Sequence, residues 1–177
     1  MKISKLFINL IIFFFIFFEA ISQEIEFKAS EMDVKNDGNI IFAYFSETVI
    51  PEKNITINSN KVKYNKKTNI LVFKDKVILT DKDNNVIVNG EEIIYMKDKD
   101  IFHSIGDTKF FIDSKYKVFS EDIYFDRKLK TIYGNEYTKI IDEEKNIFNL
   151  KNEFRFNITN EILKSKNSEI IDNNKNI

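Results

Sequence analysis

The stretch Val86–Tyr95, VIVNGEEIIY, alternates like a half-buried strand and then breaks its own period. Val86 and Val88 set an inward face, and continuing by twos would bury Gly90 and Glu92. The apolar residues resume instead at Ile93 and Tyr95, so the parity flips in mid-strand.

The same five-position pattern recurs along the chain. It falls on Ile55, Ile57, Ser59, Val62 and Tyr64, and again on Tyr116, Val118, Ser120, Ile123 and Phe125. Near the start it gives Ile25, Phe27, Ala29, Met32 and Val34, and a weaker fifth copy gives Ile147, Asn149, Lys151, Phe154 and Phe156. The spacings are 30, 31, 30 and 31 residues, the signature of a repeat architecture. The third position holds Ala, Ser, Gly and Ser in the four good copies. A strand that keeps one face inward while turning a corner uses an extra residue, and a small side chain there avoids a clash inside the bend. The flip is therefore read as a repeated kink, the alternative being that Ser59 and Ser120 are ordinary polar strand residues.

Each template strand runs into a polar turn and then a second strand, as in ILVFKDKVILT, IFHSIGDTKFFI and TIYGNEYTKII, interrupted near Asp75, Gly106 and Gly134. Ile, Val, Phe and Tyr dominate the apolar positions, and alternation by twos favours strand throughout. Bent hairpins cannot bury a shared face alone; stacked side by side they form two facing sheets folded about a crease. The expected fold is all-β, an elongated antiparallel jelly roll of ~30-residue repeats, open at its ends. Its interior is expected to be lined by Ile55, Ile57, Val62, Tyr64, Val86, Val88, Ile93, Tyr95, Val118, Ile123 and Phe125. Ile70, Val72, Val77, Leu79, Phe110, Ile112, Ile132 and Ile140 are expected to join them from the second strands, whose inward parity the sequence leaves open.

Residues 1–22 read as a signal peptide: Lys2 and Lys5, an apolar run from Leu6 to Phe18, then Ala20 and Ser22 before Gln23. An uncleaved anchor is the rival reading, but the run is shorter than the about 20 residues a spanning helix needs. Residues 23–164 form the expected β domain and 165–177 a polar tail. Without the first 22 residues the net charge is about −2, which is no nucleic-acid footprint. The absence of cysteine fits a periplasmic protein rather than a disulfide-stapled extracellular module.

The 177-residue chain offers little to a catalytic reading. His103 is the one histidine and is read as solvent-facing or structural; no catalytic, metal or cofactor site is assigned. Asp81, Asp83, Asp142, Glu143 and Glu144 fit turns. Lys61, Lys63 and Lys66 are read mainly as solvation of the outer face.

ITINSNKVKYNKKTNILVFKDKVILTDKDNNVIVNGEEIIY resembles the OstA-like family, the periplasmic domains of lipopolysaccharide transport: the bridging LptA, the inner-membrane-anchored LptC and the N-terminal domain of LptD. The order of strands, the "V-x-L" segment and the Tyr-terminated strands carry the resemblance. The family usually has glycine before "V-x-L"; Asp75 stands there, which implies a gentler first bend. The resemblance implies a non-enzymatic periplasmic domain that holds the acyl chains of lipid A and passes lipopolysaccharide toward the outer membrane. It also implies edge-strand docking with like domains through Ile25–Val34 and Phe148–Phe156. A structural or adhesive solenoid without a lipid ligand, or a plain packed core, remains the alternative, as does the choice among LptA, LptC and LptD. A carbohydrate-active protein is disfavoured for want of paired acids.

Overall fold

The computed structural model describes residues 25–173, so the expected signal segment lies outside the described residues. Strands account for nearly all of them. The first three are β1 (Glu26–Lys28), β2 (Glu31–Lys35) and β3 (Ile40–Ile50), followed by a 3-10 turn, Pro51–Lys53. Five long strands come next: β4 (Ile55–Asn65), β5 (Ile70–Asp81), β6 (Val86–Met96), β7 (Ile101–Ile112) and β8 (Tyr116–Asp126). Six short ones complete the order: β9 (Thr131–Gly134), β10 (Thr138–Ile141), β11 (Ile147–Leu150), β12 (Phe154–Asn157), β13 (Ile162–Ser165) and β14 (Ser168–Ile171).

β3 to β8 each contribute to two walls. One wall runs β1-β3-β4-β5-β6-β7-β8-β10-β11-β14 through the later halves of β3, β5 and β7 and the earlier halves of β4, β6 and β8. The other runs from β2 through the remaining halves to β9, β12 and β13. All neighbours are antiparallel, and among the described residues the sheet does not close on itself. Ile57, Val88 and Val118 of the first wall and Val62, Ile93 and Ile123 of the second lie in one buried cluster. Phe110 and Phe125, from opposite walls, meet edge to face at 6.4 Å. The walls are thus folded face to face, as the repeat requires.

Where each strand crosses the crease, its inward parity is set by how many residues it spends there. β4, β6 and β8 spend two, between Ser59 and Val62, Gly90 and Ile93, and Ser120 and Ile123, which is the flip seen in the sequence. β5 and β7 spend three, between Phe73 and Val77 and between Ser104 and Thr108, so their parity is unchanged. The register shifts at these points, and the surplus residue is a bulge with left-handed backbone at Asp75, Lys76 and Gly106.

That count corrects several expectations. Leu71 and Phe73 face inward, whereas Ile70 and Val72, expected to line the interior, face out. In the fifth copy Phe148 and Leu150 face inward rather than Ile147 and Asn149, because three residues again separate Leu150 from Phe154. The bend at Asp75 shows the same register shift as the glycine-bearing bend of β7; a left-handed aspartate makes it, so it is not gentler in pairing. The sheet also continues past residue 164. β14 lies in the segment read as a polar tail, and it and β13, not Phe148–Phe156, form the terminal edges.

Candidate functional site

The interior is the candidate site. Ile55, Ile57, Val62, Tyr64, Val86, Val88, Ile93, Tyr95, Val118, Ile123 and Phe125 are all buried in one cluster, as are Val77, Leu79, Phe110, Ile112, Ile132 and Ile140. Most are fully covered, so the facing side chains fill the space between the walls.

Along the crease the lining changes from apolar to hydroxylic. Ser104 Oγ lies 2.7 Å from Thr108 Oγ1, and Ser120 Oγ 2.9 Å from Thr138 Oγ1. Ser59 donates to the Lys61 carbonyl and Thr108 to that of Gly106. These groups satisfy one another and the carbonyls exposed by the bends. They also explain the small third template residue: a Cβ on Gly90 would stand 2.9 Å from Ser104 Oγ.

Opposite the crease lies the mouth, where turns from the two walls face each other. Hydrogen bonds between successive turns stay within one rim: Lys82 N to Asn54 O and Asp113 N to Asn85 O on the first, Lys97 N to Asn69 O and Arg127 N to Asp100 O on the second. Side chains cross it. Arg127, from the turn after β8, donates through Nε to Asp81 at 2.6 Å and through Nη2 to the Lys53 carbonyl at 3.0 Å, both on the opposite rim. Its Nη1 lies 3.1 Å from Asp100 on its own rim. Lys53 reaches back across to Asp100 at 2.9 Å, and Tyr95 OH donates to Asp100 at 2.8 Å. The Arg127 side chain is 7% exposed and Asp81 fully covered.

Burial works against charge on Asp100, but Lys53, the Tyr95 hydroxyl and Arg127 more than offset it and hold its carboxyl below the usual range. For Arg127 the same burial is outweighed by Asp81 and Asp100, which push its pKa up. The Tyr95 phenol is pushed up by burial and by Asp100. Farther along, Lys115 and Glu161 pair across the rims at 2.9 Å, and Tyr116 meets Phe156 edge to face at 5.0 Å.

At both ends inward-facing apolar residues lose their cover. Met32 and Val34 pair with Ala43 and Ile41 and share their inner face, yet are 46% and 56% exposed. Ile170 pairs with Phe148 on the inner face of the first wall and is 59% exposed.

Sequence reasoning read Asp81 as a turn residue and Tyr95 as lining, and it passed over Arg127, Lys53 and Asp100. One signal was available: Arg127 is one of two arginines among 27 basic residues. A buried group with several carboxylate partners favours guanidinium over ammonium. His103 sits on an outer face, stacked on Tyr124 at 4.0 Å with its Nε2 2.8 Å from Asp122, in a structural role. Lys61 pairs with Asp75, and Lys63 lies over the Phe42 ring.

Residues 22–101 match the family described as LptA/(LptD N-terminal domain) LPS transport protein. No curated protein matches the chain in sequence. Among solved structures the fold is similar to LptH of Pseudomonas aeruginosa, described as the LptA homologous periplasmic component of the conserved lipopolysaccharide transport device. The TM-score is 0.61 at 14% identity, covering 68% of this chain and 95% of that one. Residues 22–101 thus carry the sequence match to this family, and the fold of the described residues is that of an LptA-like β jelly roll.

Proposed function

We propose that the chain is a periplasmic, non-enzymatic lipopolysaccharide transport domain whose interior takes the acyl chains of lipid A. The observation that carries this reading is the pair of uncovered ends. A scaffold solenoid caps its terminal repeats with polar residues. Here Met32 and Val34 at one end and Ile170 at the other continue the apolar inner face into solvent. The family match over residues 22–101 and the likeness of the fold to a periplasmic transport component support the same reading.

The lining would be Ile55, Ile57, Val62, Tyr64, Val86, Val88, Ile93, Tyr95, Val118, Ile123 and Phe125, with the sugar and phosphate groups left in water. Burial is worth about 0.8 kcal/mol per methylene, so a twelve-carbon chain gains roughly 8 to 10 kcal/mol of gross transfer free energy. Because the facing side chains already touch, a chain enters by displacing them, and the gain is reduced by what parting the walls costs. The exposed edges β1–β2 and β13–β14 would dock like domains by strand addition, continuing the apolar face from one copy to the next.

A photo-crosslinking residue at Val88 or Ile123 tests the reading directly. A lipopolysaccharide adduct at either position is the expected result. No adduct at both, with the fold intact by circular dichroism, favours the ligand-free scaffold.

A further inference from the structure

The crease and the mouth hold the walls together by different means. At the crease the backbones of β3 to β8 run through from one wall to the other, so the walls cannot separate there. Left-handed residues sit on that line at Phe45, Asp75, Lys76 and Gly106, where chain direction changes. At the mouth the Arg127 cluster ties turns that no strand connects.

The cluster's charge argues against an anion site. Arg127 and Lys53 are matched by Asp81 and Asp100, and Asp83 approaches Arg127 Nη2 at 3.8 Å. A phosphate would meet a neutral to acidic group whose donors are already engaged. What the geometry does provide is three connections from one rim to the other: Arg127 to Asp81, Arg127 to the Lys53 carbonyl, and Lys53 to Asp100. Each stabilises the closed mouth and is lost when the rims part. The core residues beneath, Tyr95, Val86 and Ile55, are fully covered while it is closed.

We infer that Arg127, Lys53, Asp81 and Asp100 form a latch over the middle of the mouth, and that its parting, with the walls swinging about the crease, admits an acyl chain from the side. This rests on the acyl-chain reading of the interior. It adds a lateral route to the two open ends and assigns its control to residues that never touch the chain.

Two measurements separate the latch from that reading. The chain has no cysteine, so Lys115→Cys with Glu161→Cys places a clean pair on facing rims outside the latch. Bridging that pair with a short bismaleimide is expected to slow uptake of pyrene-dodecanoic acid about tenfold or more relative to the unbridged protein. In a second protein, spin labels at Lys82→Cys and Leu129→Cys report the distance between the rims. Lys53→Met, which leaves Asp100 its bonds to Arg127 and Tyr95, is expected to shift that distribution to longer distances, and Lys53→Met with Arg127→Lys further still. Equal uptake by bridged and unbridged protein overturns the lateral route in favour of entry through the ends. An unchanged rim distance in both variants, with the fold retained, overturns the latch. Longer distances without uptake by any form support the latch and overturn the acyl-chain reading of the interior.

Discussion

The middle repeats and the terminal ones carry the same apolar pattern with opposite outcomes. Val88, Ile93 and Phe125 have a paired strand on each side and a wall opposite, and all are fully covered. Met32, Val34 and Ile170 stand at equivalent inward positions of β2 and β14, which have a paired strand on one side only among the described residues, and remain about half exposed. Apolar patterning therefore fixes which way a side chain points, while burial depends on the neighbour the fold supplies. In the middle the pattern makes a core; at the ends it makes a surface suited to another apolar partner. The sharpest way to break this contrast is to truncate one fully buried ring. Phe125→Ala is expected to cost about 3–5 kcal/mol by urea unfolding. Val34→Ala at the uncovered end should stay within about 0.5 kcal/mol. Similar losses at the two sites would show that the ends are as packed as the middle.

How much of this was legible in the sequence follows the same division. The parity flip in β4, β6 and β8 could be read from alternation alone, because two residues at the crease shift the apolar positions visibly. The crease of β5 could not: Ile70, Leu71, Val72 and Phe73 are all apolar, so either parity fits, and the number of residues lost to the bulge is decided by backbone pairing. At the fifth copy Ile147, Phe148 and Leu150 allowed the wrong phase for the same reason. The latch was invisible on different grounds. Lys53, Asp81, Asp100 and Arg127 are spread across four turns, where charge is ordinarily explained by solvent. Only the folding of two walls about one crease brings them together.

Smaller perturbations sharpen the picture. Gly134 ends β9 where the strand breaks, and a Cβ there would stand 2.9 Å from the Asp122 carbonyl oxygen and 3.2 Å from the Phe154 ring. Because the first contact is backbone, Gly134→Ala is expected to destabilise by about 1–3 kcal/mol. Gly38→Ala meets open space and carries only the penalty of its left-handed backbone, φ +85°, about 1–2 kcal/mol. A Gly134→Ala cost below about 0.5 kcal/mol would mean that β9 relaxes freely around position 134. Acid tests the mouth separately. Asp100 has a folded pKa below its ordinary 3.8, so its contribution is fully present above that value and is lost as pH falls through the depressed one. The stability of Lys53→Met should therefore fall less steeply with pH below 3.8 than that of the parent protein.

The ends give the smallest stability effect and the most specific consequence. Met32 and Val34 face inward without cover, and the edge of β2 away from β3 has no strand paired to it among the described residues. An unpaired edge beside an apolar face favours strand addition, and a lysine pointing into that face opposes it by placing charge where the next domain's apolar residues would sit. Met32→Lys with Val34→Lys is expected to change unfolding free energy by no more than about 0.5 kcal/mol, since both side chains already contact water. The same pair should weaken self-association in sedimentation velocity, raising the concentration at which oligomers appear by about tenfold or more. Unchanged association would mean that the apolar ends are not docking surfaces between copies, and that chains handed from one domain to the next would have to cross water.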